Sequence, residues 1–198
     1  VDTYTNMQHP ILILVRGLPG SGKSYLAAAL QKTIGEEACV MLDPDGIDYE
    51  SQEYKDHVTA QLAEGVDPAL HAYRFSRAQA YQGIEDHKIV IWNQPFTNLE
   101  IFQKMVERLE THATENHTTL PMLVVEVEVN PEVAKQRVAA RKAQGGHGPS
   151  DGRFGRFVDE YYSFASEGYN VISVRGEDDT AATVAAIMDR VAALATQS

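Results

Sequence analysis

Short apolar runs alternate along the chain with longer stretches of helical character. Residues 11–15 (ILILV) are continuously apolar, the pattern of a strand buried on both faces. Further runs lie at 38–42, 88–92 (KIVIW), 121–129 (PMLVVEVEV) and 170–174, the fourth ending in strict alternation. Between and after them, residues 25–34, 52–64, 68–85, 98–114, 131–143, 154–167 and 180–195 read as helices. Gly35 is placed to end the first helix, Gly65 and Pro68 to separate the second from the third, and Pro131 to open the fifth at its first turn. Four glycines and a proline make 145–152 a loop. Strands that alternate with helices predict an α/β fold in three layers: a five-stranded, mostly parallel sheet with helices on both faces. No internal repeat or linker composition interrupts the pattern. A single domain over residues 1–198 is therefore expected, with 1–10 as an N-terminal extension and Met7 as a natural start.

Composition changes this picture in three places. A hydrophobic content of 43% supplies enough apolar material for a core. The formal net charge of −11 would repel a long polyanion, so a nucleic-acid partner is not expected. The single cysteine, Cys39, sits in an apolar run and reads as a small buried hydrophobe, which fits a reducing, cytoplasmic setting. No apolar run approaches the ~20 residues that cross a bilayer, so no membrane association is expected.

The chemistry is concentrated between the first strand and the first helix. Gly17-Leu18-Pro19-Gly20-Ser21-Gly22-Lys23-Ser24 matches G-x-x-x-x-G-K-[ST] in full, with Tyr25 next on the helix. Glycines let backbone N–H groups turn inward around phosphates, and the following helix points its positive end at the same anion. Lys23 would reach the β- and γ-phosphates, and Ser24 would offer its hydroxyl to Mg²⁺. The segment is a P-loop, and it predicts a nucleoside triphosphate: ATP, with GTP as the alternative.

With this loop the sequence resembles the small P-loop kinases typified by zeta toxins and polynucleotide kinases. A proline at the third loop position, G-x-P-G-S-G-K-S, is common in that group. The resemblance spans residues 11–174 and rests on three further segments. In Leu42-Asp43-Pro44-Asp45-Gly46, it implies an aspartate that accepts the proton of the attacking hydroxyl. Asp45 matches best, and Asp43 is the other candidate, with either able to serve magnesium. Many relatives carry an arginine soon after this aspartate, whereas Ile47 and Asp48 follow here. Residues 131–157 look like the helical lid of these kinases, in which arginines clamp the transferring phosphoryl group. Arg137 and Arg141, four apart on one helix face, are the candidates. Residues 145–149 (GGHGP) are similar to the G-G-H-x-x-P loop of zeta-type kinases, with proline one residue early. His147 is carried as a substrate contact, and Arg153 and Arg156 as further anion-binding candidates. The loop after the last strand frames the base in such kinases, which makes Arg175 a nucleotide contact.

Other candidates come from the residues alone. Arg74 and Arg77 share a helical face and would suit an anionic substrate. The third strand ends in Trp92-Asn93-Gln94, without the carboxylate that many P-loop enzymes place there for magnesium. Asn93 would hold substrate or a water, and Trp92 reads as core. Three functions follow. The first is ATP-dependent transfer to a hydroxyl of a small molecule, a nucleotide sugar being the substrate that a zeta-type resemblance suggests, with an antitoxin-like protein as partner. The alternatives are a polynucleotide 5′-hydroxyl kinase and a nucleotide-dependent switch without phosphotransfer.

Overall fold

A computed structural model describes residues 7–146 and 148–196. Its sheet has five strands in the order β2-β3-β1-β4-β5. They are β1 (Ile11–Arg16), β2 (Cys39–Leu42), β3 (Ile89–Asn93), β4 (Met122–Glu128) and β5 (Val171–Arg175). Every neighbouring pair is parallel; Ile13 at the centre lies opposite Ile91 on one side and Leu123 on the other. Parallel pairing demands crossovers, and helices supply them. These are α1 (Lys23–Ile34), α2 (Gln52–Ala63), α3 (His71–Glu85), α4 (Leu99–Glu115), α5 (Pro131–Ala143), α6 (Asp151–Glu160) and α7 (Thr180–Ala195).

The continuous apolar run of β1 follows from its central place. Ile11, Ile13 and Val15 enter a cluster with Leu26 and Leu30 of α1 and Val184, Ile187 and Val191 of α7. Leu12 and Leu14 point the other way, to Ala80 and Ile84 of α3 and Phe102, Met105 and Leu109 of α4. Both sheet faces are covered, giving the three layers expected of the α/β pattern. Burying each such side chain contributes roughly 1.5–3 kcal/mol, and truncating Ile13 to alanine would cost about 2–5 kcal/mol. Cys39 and Trp92 are buried in these clusters, as read from the sequence.

Most boundaries fall within a residue or two of the sequence reading, with three instructive differences. The first helix begins at Lys23 rather than residue 25, because Gly22 adopts a left-handed conformation and Leu26 N already bonds its carbonyl at 3.1 Å. Residues 68–70 form a separate 3₁₀ turn, capped by the Asp67 side chain, before α3 starts. The helix expected over 154–167 instead starts at Asp151, capped by Ser150, and stops at Glu160. Beyond it the backbone is extended at Tyr161 and then makes a 3₁₀ turn, Phe164–Glu167. The stop has a cause: Tyr162 O accepts from Arg16 Nη1 at 2.8 Å, and Phe164 N donates to Glu126 Oε1 at 2.7 Å. Those backbone groups are lost to helix continuation. Among the described residues, no helix is long and apolar enough to cross a membrane.

Candidate active site

The turn joining β1 to α1 is confined by its surroundings. Gly20 and Gly22 have φ of 86° and 98°, where a side chain is strained. A Cβ on Gly20 would lie 2.4 Å from the Ala134 carbonyl oxygen of α5, and one on Gly17 2.7 Å from that of Val127. From the other side, a Cβ on Gly176 would lie 2.0 Å from the Ser21 carbonyl oxygen. The turn is thus wedged between β4, α5 and the loop after β5. No side chain caps α1, and its first turn carries no acidic residue. Its leading N–H groups and positive dipole end therefore face the turn uncompensated, which is the arrangement that holds phosphate. Ser21 Oγ is buried without a partner in the same turn.

A chain of polar contacts runs from α1 across β3 to the end of β2. Asn93 Nδ2 donates to Ser24 Oγ at 3.0 Å and to Asp43 Oδ2 at 2.9 Å. Asp43 Oδ1 accepts from Asp45 N at 3.1 Å, capping the 3₁₀ turn Pro44–Gly46. Both carboxylate oxygens of Asp43 are thereby engaged. The Asp45 carboxylate makes no hydrogen bond or ion pair among the described residues, and it lines a cavity of about 680 Å³ together with Lys23. Burial pushes Lys23 below its ordinary value of 10.5, opposed by Asp45 and Asp43 and reinforced by Arg141. Burial also pushes Asp43 above the usual carboxylate range, opposed by the hydrogen bond from Asp45 N.

The donor set suits magnesium. Ser24 Oγ and the Asp43 carboxylate are hard oxygen ligands joined by one amide, and Asn93 Oδ1 is buried with no partner. Among the described residues no three His, Cys, Asp or Glu side chains gather into a metal cluster. The ion would be held by Ser24, with Asp43 and Asn93 reaching it or its waters, and by phosphate oxygens.

The structure brings only some of the sequence candidates together. Pro19, Lys23, Ser24, Asp43, Asp45, Asn93, Arg141 and Arg153 line the cavity. Arg137 sits one turn from Arg141, 3.4 Å from the Gly20 carbonyl oxygen and 3.8 Å from Glu177. Leu18 is buried, whereas Tyr25 is exposed and outside the cavity. Arg74 and Arg77 also lie outside it: Arg74 donates to Gln61 of α2, and Arg77 lies over the rings of Tyr73 and Tyr81. Arg175 is exposed at the end of β5, beyond the cavity wall. His147 falls outside the described residues. Sequence reasoning missed Gly176 and Arg16. The first looks like any glycine that closes a strand, and the second extends an apolar run by one polar residue.

Solved structures share the fold. A putative kinase from Chloroflexus aurantiacus matches with a TM-score of 0.64 at 18% identity, over 92% of this chain and 98% of its own. A gluconokinase from Sinorhizobium meliloti gives 0.55 at 15%, over 96% and 95%. A structure of the PezAT toxin–antitoxin system of Streptococcus pneumoniae gives 0.58 at 12%, over 89% and 72%. At these identities the likeness establishes a kinase-like P-loop fold and no more. No curated protein sequence matches significantly. A family model described as an AAA domain matches residues 12–164, from the central strand through the stretch that follows α6, and the chain therefore belongs to that AAA domain family.

Proposed function

We propose that this protein is a phosphotransferase that moves the γ-phosphate of ATP to a hydroxyl of a small molecule. One observation carries the reading. Asp45 presents an unengaged carboxylate to the cavity that Lys23 lines, while Asp43 pins its backbone. A hydroxyl nucleophile needs a proton acceptor beside the phosphate cradle, and this carboxylate supplies one.

The chain's residues divide the work. The free N–H groups of α1 and Lys23 hold the β- and γ-phosphates. Arg141, across the cavity, and Arg137, over Gly20, compensate charge that builds on the transferring group. Magnesium, when bound through Ser24, neutralises phosphate charge. Asp45 accepts the acceptor's hydroxyl proton as that oxygen bonds to the γ-phosphorus and the bond from phosphorus to the bridging β–γ oxygen breaks. ADP leaves with the bonding pair, and Asp45 passes its proton to solvent. Asn93 and Asp43 keep Ser24 and Asp45 in register. Residues 131–157 act as a lid that excludes water.

The gluconokinase likeness favours a sugar or sugar-acid acceptor, and the zeta-type resemblance of the loop sequences favours a nucleotide sugar. The test is transfer of label from γ-labelled ATP to nucleosides, sugar acids, nucleotide sugars, aminoglycosides and a 5′-hydroxyl oligonucleotide. Asp45→Asn is expected to lower kcat by about 10²–10⁴-fold while ATP affinity holds. Label released only as inorganic phosphate, equally by both proteins, would overturn the reading.

A further inference from the structure

The cavity extends past the phosphate end into a compartment that the transfer machinery leaves unused. One wall is the β3–α4 loop with Gln94, Thr97 and Asn98, and the other is α6 with Arg153 and Phe157. Its hydrogen-bond inventory is lopsided. Gln94 Oε1 already accepts from the Trp92 indole at 3.0 Å, and Asn98 Oδ1 accepts from Ile101 N at 3.0 Å, capping α4. The Thr97 hydroxyl spends its proton on Glu160 Oε2 at 3.3 Å. Each side-chain amide oxygen thus already accepts one hydrogen bond, while the NH₂ groups of Gln94 and Asn98 have no partner among the described residues. Arg153 adds a guanidinium that pairs with no carboxylate among them; its Cζ stands 5.5 Å over the Phe157 ring. The carboxylates on the cavity wall, Asp43 and Asp45, belong to the other end, where they act on Lys23. The compartment thus offers unpaired N–H donors and one guanidinium, with the Glu160 carboxylate behind Thr97 and Ile101 and Pro95 as apolar wall. A neutral polyol can meet the NH₂ donors but leaves the guanidinium charge uncompensated, whereas an anion both accepts from the donors and neutralises that charge.

We propose that the acceptor carries, besides the hydroxyl to be phosphorylated, an anionic group, phosphate or carboxylate, that seats against Arg153, Gln94 and Asn98. This rests on the phosphotransferase reading for the hydroxyl, but the anion seat is testable without transfer. Arg153 fits the role through its planar fork, which takes two oxygens of either anion at once. The cavity is large enough for the end of a triphosphate and a compact acceptor together.

The experiment is calorimetric titration of the whole chain, with ADP and magnesium present, using matched pairs. Ribose 5-phosphate is compared with ribose, and glucuronate with glucose. The anionic member of at least one pair is expected to bind about tenfold or more tighter than its neutral partner, and the tighter pair names the anion. Arg153→Gln is expected to abolish that preference while the dissociation constant for a fluorescent ATP analogue stays within about twofold, since Lys23 and Arg141 hold the triphosphate. Equal binding of charged and neutral members, or of none, overturns the proposal. So does an Arg153→Gln variant that weakens ATP instead, which would make Arg153 part of the nucleotide clamp. A wild-type protein that binds the anions through Arg153 yet transfers no label to any acceptor would sink the phosphotransferase reading and leave the anion seat standing.

Discussion

Arg16, the last residue of the central strand, donates to Glu126 Oε1 at 2.5 Å, and both side chains are buried. Its guanidinium also donates to Phe96 O, from Nη2 at 3.0 Å and Nε at 3.3 Å, and to Tyr162 O. The rings of Phe164 and Tyr161 stand 3.6 and 4.4 Å from its Cζ. One buried cation therefore joins four elements: the strand that feeds the phosphate cradle, β4 through Glu126, the loop with Phe96 that lines the cavity, and the stretch after α6. Phe96, whose carbonyl it holds, has a φ of 48°, a conformation that costs an ordinary residue on the order of 1 kcal/mol or more. The donors to its carbonyl help to keep it there.

Breaking this pair from one side strands a buried charge. Arg16→Met should destabilise the protein by about 3–5 kcal/mol, read by urea denaturation. Arg16→Met combined with Glu126→Leu should recover part of that loss, because no charge is then left unpaired. A double variant as unstable as the sum of the singles would place the energy in the bonds to Phe96 and Tyr162 rather than in the ion pair.

Gly176→Ala places a methyl 2.0 Å from a backbone oxygen of the phosphate cradle. Backbone cannot swing aside as a side chain can, so Ser21 or the loop must shift. Nucleotide affinity is expected to fall by about tenfold or more, with a stability loss of roughly 1–3 kcal/mol, measured by ligand titration and thermal melting. Unchanged nucleotide binding would show that the cradle tolerates the displacement.

Lys23 should make the ligand-free protein less stable than it could be. Its folded pKa is lowered by burial, so between that lowered value and 10.5 the unfolded chain holds a proton the folded chain has released. Stability from this group therefore rises with pH across that window and stays at its minimum below it. Lys23→Met is expected to raise the melting temperature at neutral pH by a few degrees (about 2–4 °C per kcal/mol for a chain of this size) while nucleotide binding collapses. The gap between the two proteins should narrow toward pH 10.5. A variant less stable than wild type at neutral pH would mean that the attraction of Asp45 and Asp43 outweighs burial.

Tyr161 keeps its ring over Arg16 but buries its hydroxyl without a partner, and burial drives that hydroxyl up to about 12. Tyr161→Phe removes the unsatisfied group and leaves the ring. It should be neutral or stabilising by up to about 1 kcal/mol in denaturant melts. A clear destabilisation would reveal a hydrogen bond to ordered water.

Much of the site was legible because its signals are local. The G-x-x-x-x-G-K-S loop needs only eight consecutive residues, and Asp43 and Asp45 follow the next strand within a few positions. Arg74 and Arg77 show the limit of the same reasoning. Their shared helix face is correct, but Arg74 meets Gln61 of α2 and Arg77 lies over Tyr73 and Tyr81 of its own helix, both away from the cavity. Helical spacing says which residues are neighbours on a helix, not what stands opposite them. The break after Glu160 was invisible for a related reason: residues 154–167 have helical composition, and tertiary hydrogen bonds to Arg16 and Glu126 override it.

The sequence by itself determined the order of strands and helices, the placement of β1 between two apolar layers, and the phosphate cradle. Each depends on periodicity or on a contiguous turn, and those are properties of short segments. Only the tertiary structure decided that Gly176 must be glycine, since what fills the space beside it is a loop 155 positions earlier. Only it paired Arg16 with Glu126, 110 residues apart. It also engaged both oxygens of Asp43 while leaving the Asp45 carboxylate unpaired, and it left the NH₂ groups of Gln94 and Asn98 without a partner among the described residues. These outcomes depend on which atoms are already satisfied by distant partners, and partnership across the fold has no period in the chain.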